Sequence, residues 1–349
     1  MPKLVQVMLA YGDGGAETFF EKLAIEFQKA GLEQTLIIQA HPEREARLTE
    51  AGCEVRVINA RGWRKHFAKP MVGRICREVG AKVALAWMSR GAAAVPKMKG
   101  LARVARVGGY YRGKYFTGYD AVVGNAPGVI EWLEKQGVSK ENLRLIPNFS
   151  EDLNEKSQGK LADQLNLPSG APVAASVGRL KGVKGHDISI RVAAAIPELH
   201  LLIAGGGPKE EELRTLAKEL GVEQRVHFLG WCREMGEVYR LADVVLFPTR
   251  SEPFGNVIVE AWRQRVPIVT SNLEGPAWLV DEGETGLLCE KNDVEAFTDA
   301  VKRVLADGEL ANRLVANGGR VLEERFSTEA IVAAYQKLFS ELTGGRGTR

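Results

Sequence analysis

The chain has 349 residues, enough for two domains of ordinary size that each have a core of their own. Hydrophobic residues make up 45% and charged residues 26%, which excludes a disordered or fibrous chain. No apolar run approaches the roughly 18 residues that a membrane-spanning helix needs. The cysteines form no CxxC pair and the five histidines show no ligand spacing, so we expect a reduced cytosolic protein without a zinc site.

The charge is distributed unevenly along the chain. Residues 1–150 carry 23 Lys and Arg against 14 Asp and Glu, a balance of +9, whereas the remainder carries 24 against 30, a balance of −6. Within the first half, residues 56–114 contain 15 basic residues and one acid, and aromatic residues are interleaved with them. Such a field attracts nucleic acid, an anionic lipid surface or a phosphorylated glycan, and a solvated basic surface is the simpler alternative.

Short apolar runs alternate with amphipathic stretches, which is typical of an α/β protein with parallel sheets. The first apolar run soon meets glycines, which favours an opening strand over a signal peptide. Apolar residues at helical spacing predict a helix over Glu17–Lys29. The strands predicted in the first half are Leu4–Leu9, Gln34–Ile38, Glu54–Ile58, Val83–Trp87, Val104–Val107 and Ala121–Val123.

The pattern restarts after a polar stretch, Ser150–Gly170, which predicts a linker between a first domain, 1–150, and a second, 151–326. A last helix, 327–342, either caps the second domain or crosses back to the first. We expect a cleft between two Rossmann-like domains, with ligands at the carboxyl ends of the strands. The second-half predictions are strands Val173–Val177, Leu199–Ala204, Val226–Leu229, Val244–Phe247 and Ile268–Thr270, and a charged helix, Glu210–Leu220.

Two carboxylates, Glu252 and Glu260, stand eight residues apart just after the apolar run 243–248. Pro253 and Gly255 interrupt the chain between them, so we expect Glu252 on a loop and Glu260 inside a helix that begins near Gly255-Asn256. Free N–H groups at that helix start suit a phosphate, and carboxylates suit hydroxyl groups. Two solvated helix carboxylates are the alternative interpretation.

Several motifs in one order carry a resemblance to a known family. The chain resembles the retaining, nucleotide-sugar-dependent glycosyltransferases of family 4 (glycosyl transferases group 1), which have the GT-B fold. The matching pieces are Gly14-Gly15-Ala16-Glu17, Ile146-Pro147-Asn148, Val177-Gly178-Arg179-Leu180 with Lys184-Gly185-His186-Asp187, Ala204-Gly205-Gly206-Gly207-Pro208, Val226-His227-Phe228-Leu229-Gly230, the Glu252–Glu260 stretch, and Glu284-Thr285-Gly286-Leu287-Leu288.

The resemblance implies roles for these residues. Arg179 and Lys184 stabilise the diphosphate leaving group, and Glu252 holds hydroxyls of the donor sugar, so these three are the catalytic candidates. Glu260 accepts hydrogen bonds from the ribose. The remaining donor-binding candidates are Gly14, Gly15, Gly178, Gly206, Gly207, Leu229, Phe254, Gly255 and Asn256. Two surface cations, and a plain tight turn at the first glycines, are the competing interpretations.

The family's retaining mechanism is usually explained by front-face attack, which implies no metal and no cofactor besides the nucleotide-diphosphate sugar. Many members carry a donor-contacting histidine where this chain has Gly108–Tyr111. Tyr110, Tyr111 or Ser89-Arg90 takes over that contact, or the chain is an inactive relative. UDP, GDP and ADP donors, the sugar, the linkage and the oligomeric state all stay open.

The basic stretch 56–114 lies in the acceptor-side domain. We therefore expect an anionic glycan or lipid-linked acceptor of the lipopolysaccharide type, and a cytoplasmic protein held peripherally at the inner face of the membrane by anionic headgroups.

Three other functions fit the sequence less well. A dinucleotide-dependent dehydrogenase is disfavoured because the first glycine loop lacks the full GxGxxG and no acid ends the second strand. A UDP-sugar epimerase or a glycogen-type synthase shares the fold class, but fits the motifs less well. A nucleic-acid binder explains the basic stretch alone, and no binding module for it is recognisable, so no nucleic acid is expected as a partner.

Overall fold

Contacts within the chain group its residues into two units, 1–148 with 328–349, and 149–327. The structure is a computed structural model, and it describes residues 2–12, 14–151, 160–232 and 235–344. Each unit contains one parallel sheet with helices, as the alternating pattern of the sequence predicts.

The first unit has a seven-stranded sheet in the order β3-β2-β1-β4-β5-β6-β7, and every neighbouring pair is parallel. Its strands are β1 (Leu4–Met8), β2 (Gln34–Gln39), β3 (Glu54–Ile58), β4 (Val83–Trp87), β5 (Ala102–Val107), β6 (Ala121–Gly124) and β7 (Leu143–Leu145). Its helices are α1 (Gly15–Lys29), α2 (Pro42–Glu50), α3 (Ala68–Glu78), α4 (Met88–Ala94), α5 (Pro127–Lys135) and, from the end of the chain, α14 (Thr328–Gly344). All residues of β1, β2 and β4 are buried, because helices cover both faces of such a sheet.

The second unit has a six-stranded parallel sheet in the order β10-β9-β8-β11-β12-β13. Its strands are β8 (Val173–Val177), β9 (His200–Ala204), β10 (Val226–Gly230), β11 (Val244–Phe247), β12 (Ile268–Ser271) and β13 (Leu287–Cys289). Its helices are α6 (Leu161–Gln164), α7 (His186–Ala195), α8 (Glu210–Glu219), α9 (Met235–Leu241), α10 (Asn256–Arg263), α11 (Glu274–Leu279), α12 (Val294–Ala306) and α13 (Gly308–Arg325).

The strands predicted from the sequence are confirmed, with ends that differ by at most two residues. Strands β7 and β13 were missed because each has only three residues, too few for a periodic signal. Helix α1 begins at Gly15, two residues before its predicted start. Of the predicted linker, residues 152–159 lie outside the described part, and α6 forms in the rest.

The last helix, α14, packs on α1 of the first unit. The rings of Tyr335 and Phe339 lie 5.5 and 6.0 Å from the ring of Phe27, both edge to face. Ile331, Tyr335 and Leu338, which follow one another at helical spacings of four and three along α14, are buried. The aromatic contacts therefore join the end of the chain to the first unit.

The basic stretch 56–114 is not wholly a surface, since Arg106 is 3% exposed in β5. Its guanidinium donates a hydrogen bond to the side chain of Asn148 and lies 5.3 Å from the ring centroid of Phe19. Burial lowers the pKa of this arginine. Arg106 therefore does not belong to the predicted basic surface.

Candidate functional site

In the second sheet the strand order reverses between β8 and β11, which are neighbours. Loops that leave the carboxyl ends of such strands turn to opposite sides, so a crevice opens between them. The loop after β8 contains Arg179 and Lys184, and the loop after β11 contains Glu252. The three predicted catalytic residues, on two loops that are far apart in sequence, therefore reach the same edge of one sheet.

Hydrogen bonds hold these two loops together. The backbone N–H of Arg250 donates to the carbonyl of Val183 at 2.7 Å. The Arg250 guanidinium makes two hydrogen bonds of 2.7 Å to the carboxylate of Asp187, and these bonds raise its pKa. A bidentate pair of this kind sets direction as well as distance. It anchors the start of α7 to the loop that carries Glu252.

Gly185 allows the loop after β8 and the loop after β11 to approach each other closely. Gly185 has a φ of +72°, and a Cβ placed there would lie 1.9 Å from the carbonyl oxygen of Pro248. No residue with a side chain fits this position without moving one loop away from the other. Gly185 follows Lys184 directly, so this contact also determines where the lysine is placed.

Lys184 and Glu252 form an ion pair with 2.5 Å between Nζ and Oε2. Their side chains are 22% and 14% exposed, so solvent screens the pair only in part. The Lys184 ammonium also lies 5.3 Å from the ring centroid of Phe247. Arg179, by contrast, is exposed and its side chain has no hydrogen-bond or ion-pair partner within the described part of the chain. Of the two predicted catalytic cations, Lys184 is therefore paired and Arg179 is not.

His186 is a functional candidate that the sequence interpretation assigned no role. It is 2% exposed, its Nε2 lies 3.2 Å from the carbonyl oxygen of Gly178, and its Nδ1 lies 2.9 Å from Oγ of Ser176. Because a carbonyl only accepts, Nε2 carries the proton and Nδ1 accepts from the serine. Burial lowers the pKa of His186 to about 4, so the ring stays neutral and supports the Gly178 peptide.

The glycines after β9 pack against the loop after β8. A Cβ on Gly205 would lie 1.9 Å from the carbonyl oxygen of Gly178, and one on Gly207 would lie 2.6 Å from that of Leu180. The carbonyl of Gly206 accepts a hydrogen bond of 3.0 Å from the N–H of Leu180. Gly178, Gly206 and Gly207 therefore share one backbone cluster. Leu229, also a predicted donor residue, is half-buried near the end of β10, the strand beside β9.

Glu260 lies in α10, as predicted, and is held by a tyrosine. The hydroxyl of Tyr239, on α9, donates a hydrogen bond of 2.8 Å to its Oε2. Burial raises the pKa of Tyr239, and the nearby carboxylate adds to this effect, so the hydroxyl keeps its proton. One oxygen of Glu260 is thus oriented by the protein, which leaves Oε1 as a further acceptor.

Helix α10 begins at Asn256, and its N-cap Gly255 has a φ of +109°. Phe254 is 2% exposed, and its ring lies about 6 Å from those of Trp278 and Phe326. Its side chain therefore belongs to the core, and only its backbone is placed to meet a ligand. The predicted start of the helix is confirmed.

Gly14 and Gly15 lie in the first unit, after β1. Gly14 is the N-cap of α1 with extended backbone, and Gly15 is the first residue of that helix. Any residue adopts the backbone of Gly14, so its conformation does not explain the glycine. Their predicted role in donor binding stays a prediction.

Within the described ranges, no group of three or more His, Cys, Asp and Glu side chains is placed to hold a metal ion. In the same part of the chain, no helix is both long enough and apolar enough to cross a membrane.

Comparison with known proteins identifies the family. The model of the family "Glycosyl transferases group 1" matches residues 157–321. The chain is 34% identical over 339 residues to the lipopolysaccharide core biosynthesis glycosyltransferase LpsE of Rhizobium meliloti, covering 94% of this chain and 96% of the relative. It is 30% identical to LpsD of the same organism, covering 94% and 95%. The chain belongs to the group 1 glycosyltransferases.

A solved structure shows the same fold. The structure of Anabaena Alr3699/HepE in complex with UDP and glucose matches with a TM-score of 0.84 at 20% identity, and covers 98% of this chain and 100% of that protein. The predicted family, group 1, and the predicted fold class, GT-B with two Rossmann-like parallel-sheet domains, are confirmed. The protein is a glycosyltransferase, and the dehydrogenase alternative is wrong.

Proposed function

We propose that this protein transfers a sugar, with retention, from a nucleotide-diphosphate sugar to an acceptor in lipopolysaccharide core synthesis. The relatives LpsE and LpsD, named as lipopolysaccharide core glycosyltransferases, support the acceptor class. The observation that carries the proposal is the Lys184–Glu252 pair beside the unpaired Arg179, where the order of the second sheet reverses. Membership of family 4 itself is part of this proposal.

In the proposed reaction the two cations serve the leaving group. The bond between the anomeric carbon and the diphosphate oxygen breaks, and Arg179 and Lys184 stabilise the negative charge that collects on that oxygen. The acceptor hydroxyl attacks the same face of the sugar, and its proton passes to the departing phosphate. No protein nucleophile and no metal ion takes part in this sequence.

The carboxylates hold the donor. Glu252 uses Oε2 for Lys184, so its Oε1 is the acceptor for a hydroxyl of the transferred sugar. Glu260 accepts from the ribose, with Tyr239 orienting it. The N–H groups at the start of α10, together with those of Gly206 and Gly207, meet phosphate or base, and the loop near Leu229 borders the base. Gly178, whose own N–H donates a hydrogen bond of 2.9 Å to the carbonyl of Ala204, has no side chain and so leaves room for the donor beside them.

The donor is tested with the full-length protein and the glucose conjugates of UDP, GDP and ADP. The complex of Anabaena Alr3699/HepE contains UDP and glucose, so we expect UDP-glucose to raise the melting temperature most. Transfer to deacylated lipopolysaccharide core, followed by NMR of the new linkage, should show the anomeric configuration of the donor. An inverted linkage refutes retention. Transfer that EDTA abolishes, and that Mg²⁺ or Mn²⁺ restores, refutes the metal-independent mechanism.

We also propose that the protein works at the cytoplasmic face of the membrane and docks through its basic stretch. The 3₁₀ helix Gly62–Phe67 exposes Trp63 by 70% and Phe67 by 53%, and their rings meet edge to face at 5.8 Å. The guanidinium of Arg64 lies 5.8 Å from the Trp63 ring centroid. Exposed aromatic rings among cations suit the interface of an anionic bilayer.

Co-sedimentation with vesicles tests the docking. We expect binding to vesicles that contain phosphatidylglycerol, weaker binding to phosphatidylcholine alone, and loss of binding in Trp63→Ala with Phe67→Ala. Trp132→Ala is the control, because Trp132 is exposed on α5 outside the basic stretch. Equal binding to both vesicles contradicts the electrostatic interaction, and preference for an oligonucleotide over vesicles favours the nucleic-acid alternative.

A further inference from the structure

The first sheet has a reversal of strand order too, between β1 and β4. At the carboxyl ends of β1, β2 and β3 lies an open pocket with a volume of about 480 Å³. Its lining consists of Tyr11, Ala40, His41, Pro42, Glu43 and Arg61. The pocket lies on one side of that reversal, at the edge of the sheet where α/β proteins bind ligands, and the donor-site roles proposed above use none of its six lining residues.

Two arginines meet at the ring of Tyr11: Arg61 lines the pocket, and Arg90 reaches the ring from α4. The Arg90 guanidinium lies 4.2 Å from the ring centroid of Tyr11, and that of Arg61 lies 5.0 Å from it. The two cations are therefore no more than about 9 Å apart. Within the described residues, neither guanidinium has an ion pair or a hydrogen bond to another group. The lining carboxylate, Glu43, lies 3.7 Å from Arg47.

The backbone around these residues is built to hold them there. Met88, which follows β4, has a φ of +54°, a conformation that side chains rarely adopt and that costs about 1 kcal/mol. A Cβ on Gly91 would lie 2.4 Å from the carbonyl oxygen of Val7, so this glycine lets α4 approach β1. The Tyr11 hydroxyl donates a hydrogen bond of 2.9 Å to the carbonyl of Ala60, which fixes the position of the ring.

The chemistry of two stacked guanidiniums selects an anion. Stacking on the ring uses the flat face of each guanidinium and leaves the N–H groups at its edge for other partners. Carboxylate and phosphate oxygens match that edge and form charge-assisted hydrogen bonds. Two like charges near each other repel, and an anion between them relieves the repulsion.

We infer that this pocket binds a phosphate or carboxylate carried by the acceptor sugar, held by Arg61 and Arg90 against Tyr11. The inference rests on the proposed function in one respect, since the acceptor is its occupant. It deepens that function because it makes the acceptor an anionic sugar rather than a neutral one.

Binding is tested with three soluble sugars that share one ring: glucose 6-phosphate, glucuronic acid and glucose. The protein carries Arg179→Ala and Lys184→Ala, so that the cations of the donor site do not contribute. Saturation-transfer NMR at constant ionic strength should show binding of at least one anionic sugar and little of glucose. Which anion binds more tightly distinguishes phosphate from carboxylate recognition.

In this background, Arg61→Ala and Arg90→Ala should each weaken binding of the preferred anion by about tenfold or more. Arg64→Ala is the matched control, because Arg64 is an exposed arginine three residues away that contacts the Trp63 ring rather than Tyr11. Equal affinity for glucose and for both anionic sugars overturns the inference. Undiminished binding in the protein that carries both Arg61→Ala and Arg90→Ala overturns it as well.

Tyr11 supplies a second test. Tyr11→Phe keeps the ring and should retain most of the anion affinity, whereas Tyr11→Leu removes the stacking surface and should reduce it at least several-fold. Equal affinity in the two variants contradicts the stacking geometry. Unchanged melting temperatures show that both variants are folded.

The outcomes separate this inference from the proposed function. With the donor site intact, Arg61→Ala should raise KM for the acceptor and leave KM for the donor unchanged. If UDP binds and sugar is transferred while no anionic sugar binds, only the present inference fails. If an anionic sugar binds the pocket and no nucleoside diphosphate binds the protein, the proposed function fails.

Discussion

The ion pair of Lys184 with Glu252 links a residue meant for the diphosphate to one meant for the sugar. In the variant Glu252→Gln the side chain keeps its shape and loses its charge, so the ammonium 2.5 Å away loses its counter-ion. In this variant the ammonium of Lys184 has no ion pair with residue 252 and is available to the diphosphate of the donor. We therefore expect opposite effects on protein stability and on nucleotide affinity.

The magnitude follows from the burial of the pair. Its side chains are 22% and 14% exposed, between a surface pair, worth up to about 1 kcal/mol, and a buried one, whose disruption costs about 3–5 kcal/mol. The amide of glutamine still accepts a hydrogen bond, so we expect a loss of about 1–2 kcal/mol in the free energy of unfolding. For a unit of this size that is roughly 2–8 °C in melting temperature.

Nucleotide binding should change in the other direction. Because Lys184 is no longer shared, the affinity for UDP should stay the same or rise by up to about tenfold, which corresponds to about 1.4 kcal/mol. Transfer should nevertheless fall by about 100-fold or more, since a hydrogen bond to the sugar that strengthens in the transition state is lost.

Calorimetric titration with UDP, thermal unfolding and a transfer assay on the same preparations measure all three quantities. Glu198→Gln is the control, because Glu198 is exposed between α7 and β9 and has no hydrogen-bond or ion-pair partner in the part of the chain that the structure describes. Full transfer activity in Glu252→Gln would refute the assignment of the catalytic carboxylate. A loss of UDP affinity as large as that of Lys184→Ala would refute the argument from the shared lysine.

Three further predictions concern the second unit. Gly185→Ala should lower both stability, by about 2 kcal/mol or more, and UDP affinity, whereas Gly182→Ala, in open space on the same loop, should stay within about 0.5 kcal/mol by thermal unfolding. Tyr239→Phe removes the hydrogen bond to Glu260 and should weaken UDP binding several-fold in calorimetry. Tyr335→Phe is the control and should leave UDP binding unchanged, because the buried hydroxyl of Tyr335 has no hydrogen-bond partner among the described residues. Burial lowers the pKa of His186 to about 4 in the folded protein, against about 6.5 in the unfolded chain. Between these two pH values the unfolded chain binds a proton that the folded chain does not bind. The free energy of unfolding should therefore be highest above pH 6.5 and should fall by about 3 kcal/mol as the pH decreases to about 4. Urea unfolding at pH 4.5 and 7 should show a smaller difference in His186→Gln, and an equal difference would contradict the burial argument.

Much of the fold was predictable because parallel strands covered on both faces are continuous apolar runs. Val83–Trp87 and Val173–Val177 are such runs, and the structure has strands at the same residues. The three-residue strand Leu287–Cys289 has no such signal, and its place in the sheet depends on pairing with Ile268–Ser271. The order of the strands is likewise a property of the assembled sheet.

The candidate site was predicted in part. Motif spacing placed Arg179, Lys184 and Glu252 at the ends of strands, where the structure also has them. No sequence pattern singled out Tyr239, because its partner Glu260 is on another helix. The buried state of Arg106 was missed for the same reason, since a basic run predicts a solvated face and only packing decides which member turns inward.

The sequence by itself determined the α/β class, most strands, and the family, because local periodicity and motif order depend on neighbouring residues alone. Only the tertiary structure decided which distant residues meet. The ion pair of Lys184 with Glu252 joins positions 68 residues apart, and the stacking of Arg61 and Arg90 on Tyr11 joins two loops and helix α4. Such contacts arise when sheet order brings strand ends together, and no one-dimensional pattern encodes that order.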